Sequence, residues 1–210
     1  MHSDNSSRFR QAITAMPVVA ILRGVRSEEV IAVAQGIYDA GIRVIEVPLN
    51  SPDPLASIEN LATHFGHDAI IGAGTVLSSH DVARCRDAGA KIIVSPNMNV
   101  EVIRATTAAG MISAPGCMTP TEVFTALDAG AHAVKLFPGE MVTAAAVKGF
   151  RAVLPNDTIL LVVGGMSADT VASYRSAGAD GFGIGSAIYR AGITAAEAGA
   201  NAAKFVAALS

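Results

Sequence analysis

The sequence predicts an α/β fold, a (β/α)8 barrel, and two repeating features of the chain predict it. Short apolar runs rich in Val and Ile alternate with Ala-rich stretches along almost the whole length. Buried strands that alternate with helices pair in parallel through right-handed crossovers. Ala-Gly pairs, which are typical of helix ends, recur with a repeat of a little over twenty residues. Eight such units fit the chain, and eight strand–helix units close into a barrel.

Eight short apolar runs are the predicted strands, and glycines end the helices between them. The strands span residues 18–22, 44–47, 69–73, 91–94, 111–114, 133–137, 158–163 and 181–184. The helix-ending glycines are Gly41, Gly89, Gly110, Gly130 and Gly178. Residues 6–16 predict a short helix ahead of the first strand, which we expect to cover the bottom of the barrel. No linker divides residues 1–210, so we expect a single domain.

An open doubly wound sheet is the alternative α/β fold. A dinucleotide-binding sheet of that type carries G-x-G-x-x-G after its first strand. Here the first strand runs into ILRGV at 21–25, and the later GIGS at 183–186 lacks the third glycine. The sequence therefore favours the barrel.

Composition excludes several classes of partner. The formal charge is −3 and no basic cluster is present, so we expect no nucleic-acid partner. No apolar run reaches the roughly 20 residues that a membrane span needs. The start MHSDNSSRFRQ is polar and unlike a secretory signal. The only two cysteines, Cys85 and Cys117, form neither a disulfide framework nor a zinc cluster, which suits a cytoplasmic protein.

Four polar residues lie in or directly after the predicted strands, which are otherwise apolar. Arg23 ends the first strand, Thr75 follows the third, and Glu46 and Lys135 interrupt the second and the sixth. Side chains alternate along a strand, so the outward positions around Glu46 and Lys135 suit the helices and the two charged residues point inward. Because even-numbered strands supply the same interior layer, the two side chains converge at the end of the barrel where chemistry takes place.

A lysine inside an apolar barrel can act as a nucleophile. Burial lowers its pKa, and a neutral amine attacks a ketone to form a Schiff base. The carboxylate of Glu46 can move protons during that chemistry, although it also favours the ammonium form of Lys135. A structural ion pair is the alternative, and it is disfavoured because buried pairs seldom add net stability.

Two glycine-rich loops predict a phosphate site. The seventh strand runs into Gly164 and Gly165, and the eighth into Gly185 and Ser186. The loops after these two strands are the usual phosphate site of the barrel, where backbone N–H groups approach the anion. The alternative is that the glycines only form tight turns.

With these residues in place, the chain resembles the 2-keto-3-deoxy-6-phosphogluconate and phosphogalactonate aldolases, which are class I pyruvate-dependent aldolases. The matching stretches are AILRG at 20–24, IEVPLNSP at 45–52, GAGTVL at 72–77, SPN at 95–97, PGCMTPTE at 115–122, KLFPGE at 135–140, VGGM at 163–166 and GIGSAIYR at 183–190. The resemblance implies a cofactor-free, metal-free and commonly trimeric enzyme.

The resemblance also implies a role for each matching residue. Lys135 matches the Schiff-base lysine and Glu46 the general acid/base. Arg23 and Thr75 match residues around the pyruvyl group. The positions matched to the phosphate site are Gly164, Gly165, Gly185 and Ser186, and those that shape the pocket around the imine are Pro96 and Phe137.

Two substrate-binding positions favour the galactonate branch of the family. Val163 stands where the gluconate enzymes typically have Thr, and Asn50 where they typically have Arg. A change in the groups that meet a hydroxyl changes which epimer is tolerated. We therefore expect cleavage of 2-keto-3-deoxy-6-phosphogalactonate to pyruvate and D-glyceraldehyde 3-phosphate. The C4 epimer and 4-hydroxy-2-oxoglutarate are the alternative substrates.

Other functions stay open on the residues alone. A phosphosugar isomerase or epimerase would use Lys135 only as a charge, and a non-catalytic barrel would only bind the phosphosugar. His64 and His67 lie at a helix end without the carboxylates of a metal site. Cys117 has no histidine placed to activate it.

Overall fold

The computed structural model describes residues 2–210, and side chains from residue 5 onward. Its strands are β1 (Val18–Ile21), β2 (Val44–Pro48), β3 (Ile70–Gly74), β4 (Ile92–Val94), β5 (Ile112–Ala114), β6 (Gly116–Cys117), β7 (Ala133–Leu136), β8 (Ile159–Val163) and β9 (Gly181–Ile184). Its α-helices are α1 (His2–Ala15), α2 (Val30–Asp39), α3 (Pro54–Phe65), α4 (Ser79–Asp87), α5 (Val100–Ala108), α6 (Pro120–Asp128), α7 (Ala144–Arg151), α8 (Val171–Ser176) and α9 (Ala195–Leu209). A short 3-10 helix spans Gly139–Met141.

The parallel strands close into a barrel at the fifth strand. The sheet order runs from β5 through β1 to β6, and β5 and β6 are separated only by Pro115. Backbone N–H groups of His132, Lys135 and Phe137 donate to carbonyl oxygens of this fifth strand, at 2.9, 3.0 and 3.1 Å. These bonds join the sixth strand, β7, to both halves of the fifth. The predicted (β/α)8 barrel is confirmed, with a fifth strand that continues past residue 114.

Two apolar layers hold the barrel together. Alternate strand residues such as Ile45 and Val47 pack outward against the helices, while Val44 and Ile70 fill the interior with the neighbouring strands. Phe9 of α1 is 1% exposed and joins the interior layer, as does Ile13. The helix before β1 therefore covers the bottom of the barrel, and it begins at His2 rather than near residue 6.

Local sequence explains where the helices begin and end. Thr119 and Thr194 each form a capping box with a glutamate three residues later, which satisfies N–H groups of the first turn. The five predicted helix-ending glycines all have positive φ, from 72° at Gly110 to 111° at Gly41. These capping residues and glycines set where the helices begin and end. Among the described residues, no helix combines the length and the apolar character needed to cross a membrane.

Candidate active site

A cavity of about 200 Å³ opens at the carboxyl ends of the strands, where the fold places its chemistry. Every predicted site residue except Asn50 lines it. The lining residues are Ile21, Arg23, Glu46, Thr75, Pro96, Lys135, Phe137, Glu140, Val163, Gly164, Gly165, Met166, Gly183, Ile184, Gly185, Ser186 and Ala187. Residues from seven of the eight barrel strands, or from the loops after them, thus meet in one cavity.

Lys135 and Glu46 face this cavity from opposite walls. Lys135 is 6% exposed and Glu46 2% exposed, and among the described residues neither forms an ion pair within 4.0 Å. The Nζ atom of Lys135 lies 4.4 Å from the centre of the Phe137 ring. One carboxylate oxygen of Glu46, Oε2, is buried without a hydrogen-bond partner among the described residues. Buried polar atoms in proteins nearly always have a hydrogen-bond partner. An oxygen without one at this position therefore suits a bound molecule as its partner.

Burial shifts the pKa of both groups toward neutral pH. It raises the pKa of Glu46 to about 7, against the opposing effect of the positive charges of Lys135 and Arg23. It lowers the pKa of Lys135 to about 8, while Glu46 favours the ammonium and Arg23 opposes it. Perturbed pairs of this kind are typical of sites that exchange protons. Desolvation therefore outweighs the charge of Glu46 in setting the pKa of Lys135, a balance that the sequence alone left open.

Backbone geometry makes room for the Glu46 carboxylate. A Cβ at Gly74 would overlap the carboxylate, so only glycine fits beside it at the end of β3. The next residue, Thr75, has φ +55°, which is uncommon for a β-branched residue. Strained backbone of this type clusters at functional sites. Thr75 lines the cavity in this conformation.

Arg23 and Asn50 form a pair at the rim of the cavity. The Nη1 atom of Arg23 donates to the amide oxygen of Asn50 at 2.9 Å. Asn50 itself does not line the cavity, and its described link to the cavity is this hydrogen bond to Arg23. Direct contact of Asn50 with a substrate stays a prediction.

The two glycine loops present free backbone donors. No described residue accepts a hydrogen bond from the N–H groups of Gly164, Gly165, Gly185 or Ser186. Gly164 and Gly165 both have positive φ, at 108° and 65°. Consecutive unpaired N–H groups in such a turn form a concave surface that suits an anion.

Six lining residues escaped the sequence analysis, and Glu140 is the most consequential. The 3-10 helix after β7 brings Glu140 over the glycine turn, where a Cβ at Gly164 would lie 2.5 Å from its Oε2. Its place in KLFPGE, just past the strand that carries Lys135, was the available signal. The others are Ile21, Met166, Gly183, Ile184 and Ala187. They are apolar or glycine, so sequence could not separate them from the core.

Cys117 and His132 both lie away from the cavity. Cys117 packs in the outer apolar layer, and burial raises the pKa of its thiol to about 12. His132 lies at the bottom of the barrel, where its Nδ1 accepts a hydrogen bond from the backbone N–H of Ser113. Within the described residues, no three His, Cys, Asp or Glu side chains gather as metal ligands.

A closed barrel with a buried lysine opposite a buried carboxyl group is the arrangement expected of a class I aldolase, a carbon–carbon lyase that works through a Schiff base. The family model for KDPG and KHG aldolase matches residues 9–203, and the chain belongs to this family.

Relatives in sequence and in structure agree with this assignment. The chain is 43% identical to 2-dehydro-3-deoxy-6-phosphogalactonate aldolase of Escherichia coli (strain K12), over 92% of this chain and 94% of that protein. The structure of native KDPGal superimposes with a TM-score of 0.91 at 42% identity, over 93% of this chain and 95% of that one. KDPG aldolase from Legionella pneumophila, solved with pyruvate captured at low pH as a covalent carbinolamine intermediate, gives a TM-score of 0.78 at 25% identity, over 95% of each chain.

Proposed function

We propose that this chain cleaves 2-keto-3-deoxy-6-phosphogalactonate to pyruvate and D-glyceraldehyde 3-phosphate, with Lys135 as the Schiff-base residue. The observation that carries the proposal is the buried amine of Lys135, which faces the cavity and is free of any ion pair within 4.0 Å among the described residues. Burial lowers its pKa to about 8, so a neutral amine is accessible near neutral pH. The carbinolamine of the Legionella relative supports attack of an amine on pyruvate in this fold.

Lys135 and Glu46 divide the chemistry between them. The amine of Lys135 adds to the C2 carbonyl, and loss of water gives a protonated imine. Glu46 then accepts the proton of the C4 hydroxyl, the C3–C4 bond breaks, and its electron pair moves into the imine to form an enamine as the aldehyde leaves. Return of the proton to C3 and hydrolysis of the imine release pyruvate. The raised pKa of Glu46, about 7, suits a group that both takes and returns this proton.

The cavity offers one cationic group and several free backbone donors for the two anionic groups of the substrate. Arg23 and Thr75 both line the cavity, and the Arg23 guanidinium can bind the carboxylate. The free N–H groups of Gly164, Gly165 and Ser186 belong to the same lining and can bind the phosphate. Phe137 and Pro96 also line the cavity.

Val163 underlies the choice of epimer. Its side chain is apolar and 6% exposed, so this wall offers no hydrogen bond to a C4 hydroxyl. The named E. coli relative supports the galactonate epimer over the gluconate epimer. We expect Val163→Thr to raise kcat/KM for the gluconate epimer relative to wild type, because the new hydroxyl can pair with its C4 hydroxyl. Val163→Ala is the matched control, since it changes the volume without adding a hydrogen bond.

We also propose that the chain assembles as a homotrimer. Large apolar side chains are exposed at Leu77, Phe124 and Met141, at 52%, 39% and 68%. Such side chains suit burial between subunits. Native mass spectrometry should give three times the 21.4 kDa chain mass. A monomer at micromolar concentration would contradict this assembly.

Steady-state cleavage tests the proposed reaction. Wild-type protein should release pyruvate from 2-keto-3-deoxy-6-phosphogalactonate, and Lys135→Ala should release none above background. Lys91→Ala is the control, because Lys91 lies outside the cavity. Cleavage by Lys135→Ala at the wild-type rate would remove the mechanism. Interconversion of sugar phosphates without release of pyruvate would identify an isomerase.

A further inference from the structure

A hydrogen bond between Tyr189 and Glu29 joins the two neighbouring loops that follow β1 and β9, and both loops contribute residues to the cavity. The Tyr189 hydroxyl donates to Oε1 of Glu29 at 2.9 Å, although the residues are 160 positions apart in the chain. Tyr189 is 1% exposed and the Glu29 side chain 27% exposed, so this contact is partly sheltered from water. Neither residue lines the cavity. The contact therefore acts on the cavity only through the loops that it connects.

Tyr189 belongs to a tight turn that carries the predicted phosphate donors. The backbone N–H groups of Tyr189 and Ile188 both donate to the carbonyl of Gly185 at 2.9 Å. The carbonyl of Ile188 accepts a hydrogen bond from Asn201 of α9 at 3.3 Å. Ser186 lies within this turn, so its position depends on what holds Tyr189.

Glu29 belongs to the loop that carries Arg23. It directly precedes α2, and its Oε1 also accepts the backbone N–H of Arg26 at 3.2 Å. The Arg26 guanidinium lies 3.3 Å from Oε2. Gly24, next to Arg23, packs on the other loop, because a Cβ there would lie 3.4 Å from Cβ of Ala191. The two loops are thus in direct contact above the joined strands β1 and β9.

Near neutral pH, the Tyr189 hydroxyl keeps its proton and Glu29 keeps its negative charge, as this hydrogen bond requires. Burial, together with the adjacent Glu29 carboxylate, raises the pKa of the Tyr189 hydroxyl to about 12. The hydroxyl therefore stays a donor, and the carboxylate can only accept.

We propose that Glu29 and Tyr189 are positioning residues that set the distance between Arg23 and the Ser186 turn. The inference rests on the proposed function, because it concerns the two loops that would bind the carboxylate and the phosphate. A phosphorylated keto acid must engage both loops at once. Pyruvate has no phosphate and would engage only the Arg23 loop. Loosening the contact should therefore weaken binding of the long substrate and leave pyruvate unaffected.

Kinetics of Tyr189→Phe test this inference. The variant removes the hydrogen bond and leaves the ring in place. We expect KM for 2-keto-3-deoxy-6-phosphogalactonate to rise about fivefold, the factor expected from loss of one hydrogen bond. We expect kcat, and the concentration of pyruvate that gives half-maximal borohydride-trapped adduct, to stay as in wild type. Glu29→Leu should raise KM for the same substrate by a similar factor. Glu29→Gln should keep the wild-type KM, because its amide oxygen can still accept the hydrogen bond from Tyr189.

A matched control separates positioning from general loosening. Tyr174 donates a hydrogen bond of 2.8 Å to the carbonyl of Val142, outside both loops. Tyr174→Phe should leave KM for the phosphorylated substrate unchanged. An unchanged KM in Tyr189→Phe, or an equal rise for the phosphorylated substrate and pyruvate, would overturn the inference. Absence of any pyruvate adduct in the wild-type protein would instead refute the proposed function itself.

Discussion

At the scale of single residues, burial rather than mutual pairing dominates the pKa shifts of Glu46 and Lys135. Each side chain is nearly inaccessible to solvent. None of the ion pairs within 4.0 Å in the described part of the chain joins Glu46 to Lys135. Desolvation moves the pKa of Glu46 upward and that of Lys135 downward, so the two values approach each other. A proton can then move between the substrate and the site at little cost near neutral pH.

Removing the Glu46 carboxyl group should slow cleavage without unfolding the barrel. Glu46→Gln keeps the shape and loses the group that takes the C4 proton. We expect kcat to fall about 100- to 10,000-fold, the range typical of a lost general base. The check is pyruvate release under saturating substrate, with Glu101→Gln as the control because Glu101 is exposed on α5. An undiminished kcat in Glu46→Gln would assign proton transfer to another group.

The pH dependence of imine formation should follow Lys135. The neutral amine is the nucleophile, so the rate of adduct formation with pyruvate should rise with pH through a midpoint of about 8 in the wild type. Glu46 favours the ammonium form of Lys135. Its removal in Glu46→Gln should therefore move the midpoint to lower pH. Rapid trapping as a function of pH measures both midpoints, and a shift to higher pH would contradict this electrostatic account.

The Glu46 carboxylate leaves no room for a side chain at position 74. A Cβ at this position would overlap Glu46, so Gly74→Ala should lower the free energy of unfolding by about 1–3 kcal/mol. Gly149 lies in α7, where a Cβ meets nothing within 4 Å. Gly149→Ala should therefore raise the free energy of unfolding by about 0.5–1 kcal/mol. Urea unfolding compares the two variants, and equal effects would show that Gly74 is not packed as described.

At the scale of secondary-structure elements, the fifth strand is where the barrel closes. Pro115 lies between β5 and β6, where it has no N–H to donate to a neighbouring strand, while its carbonyl accepts the N–H of Lys135. His132 reinforces the same junction at the bottom of the barrel. Its N–H donates to the Ser113 carbonyl at 2.9 Å, and its Nδ1 accepts the Ser113 N–H at 3.2 Å.

The His132 contact should make stability depend on pH. Burial lowers the pKa of His132 in the folded protein, whereas the unfolded value is about 6.5. Its stabilising contribution is therefore fully present above pH about 6.5 and is lost as pH falls through the folded pKa. His132→Asn removes the titration but keeps an oxygen that can accept the Ser113 N–H. We expect wild type to lose more stability than His132→Asn in urea unfolding between about pH 8 and pH 5; parallel losses would exclude this role.

At the scale of the whole molecule, the barrel could be read from the sequence because its signals repeat. Glycines such as Gly41 and Gly178 end helices in a left-handed conformation at every site where the repeat predicted one. The interior position of Glu46 and Lys135 also followed from strand alternation alone. Both are local patterns, so no knowledge of distant contacts was needed.

Other features depend on which loops meet in space, and the sequence does not state that. The contact of Glu140 with the turn at Gly164 requires the 3-10 helix to fold over the next loop. The bond between Arg23 and Asn50 joins loops after two different strands. The contact between Glu29 and Tyr189 joins the first loop to the last. Pairing of neighbouring strands brings these loops together, so only the folded chain reveals the contacts.

The proposed chemistry depends on which residue binds the keto acid. Intact mass and peptide mapping after incubation with pyruvate and borohydride identify that residue. We predict one reduced pyruvyl group per chain, located on Lys135, and none on Lys135→Ala. A folded wild-type protein without an adduct, or with the adduct on another lysine such as Lys91, would exclude Lys135 as the Schiff-base residue.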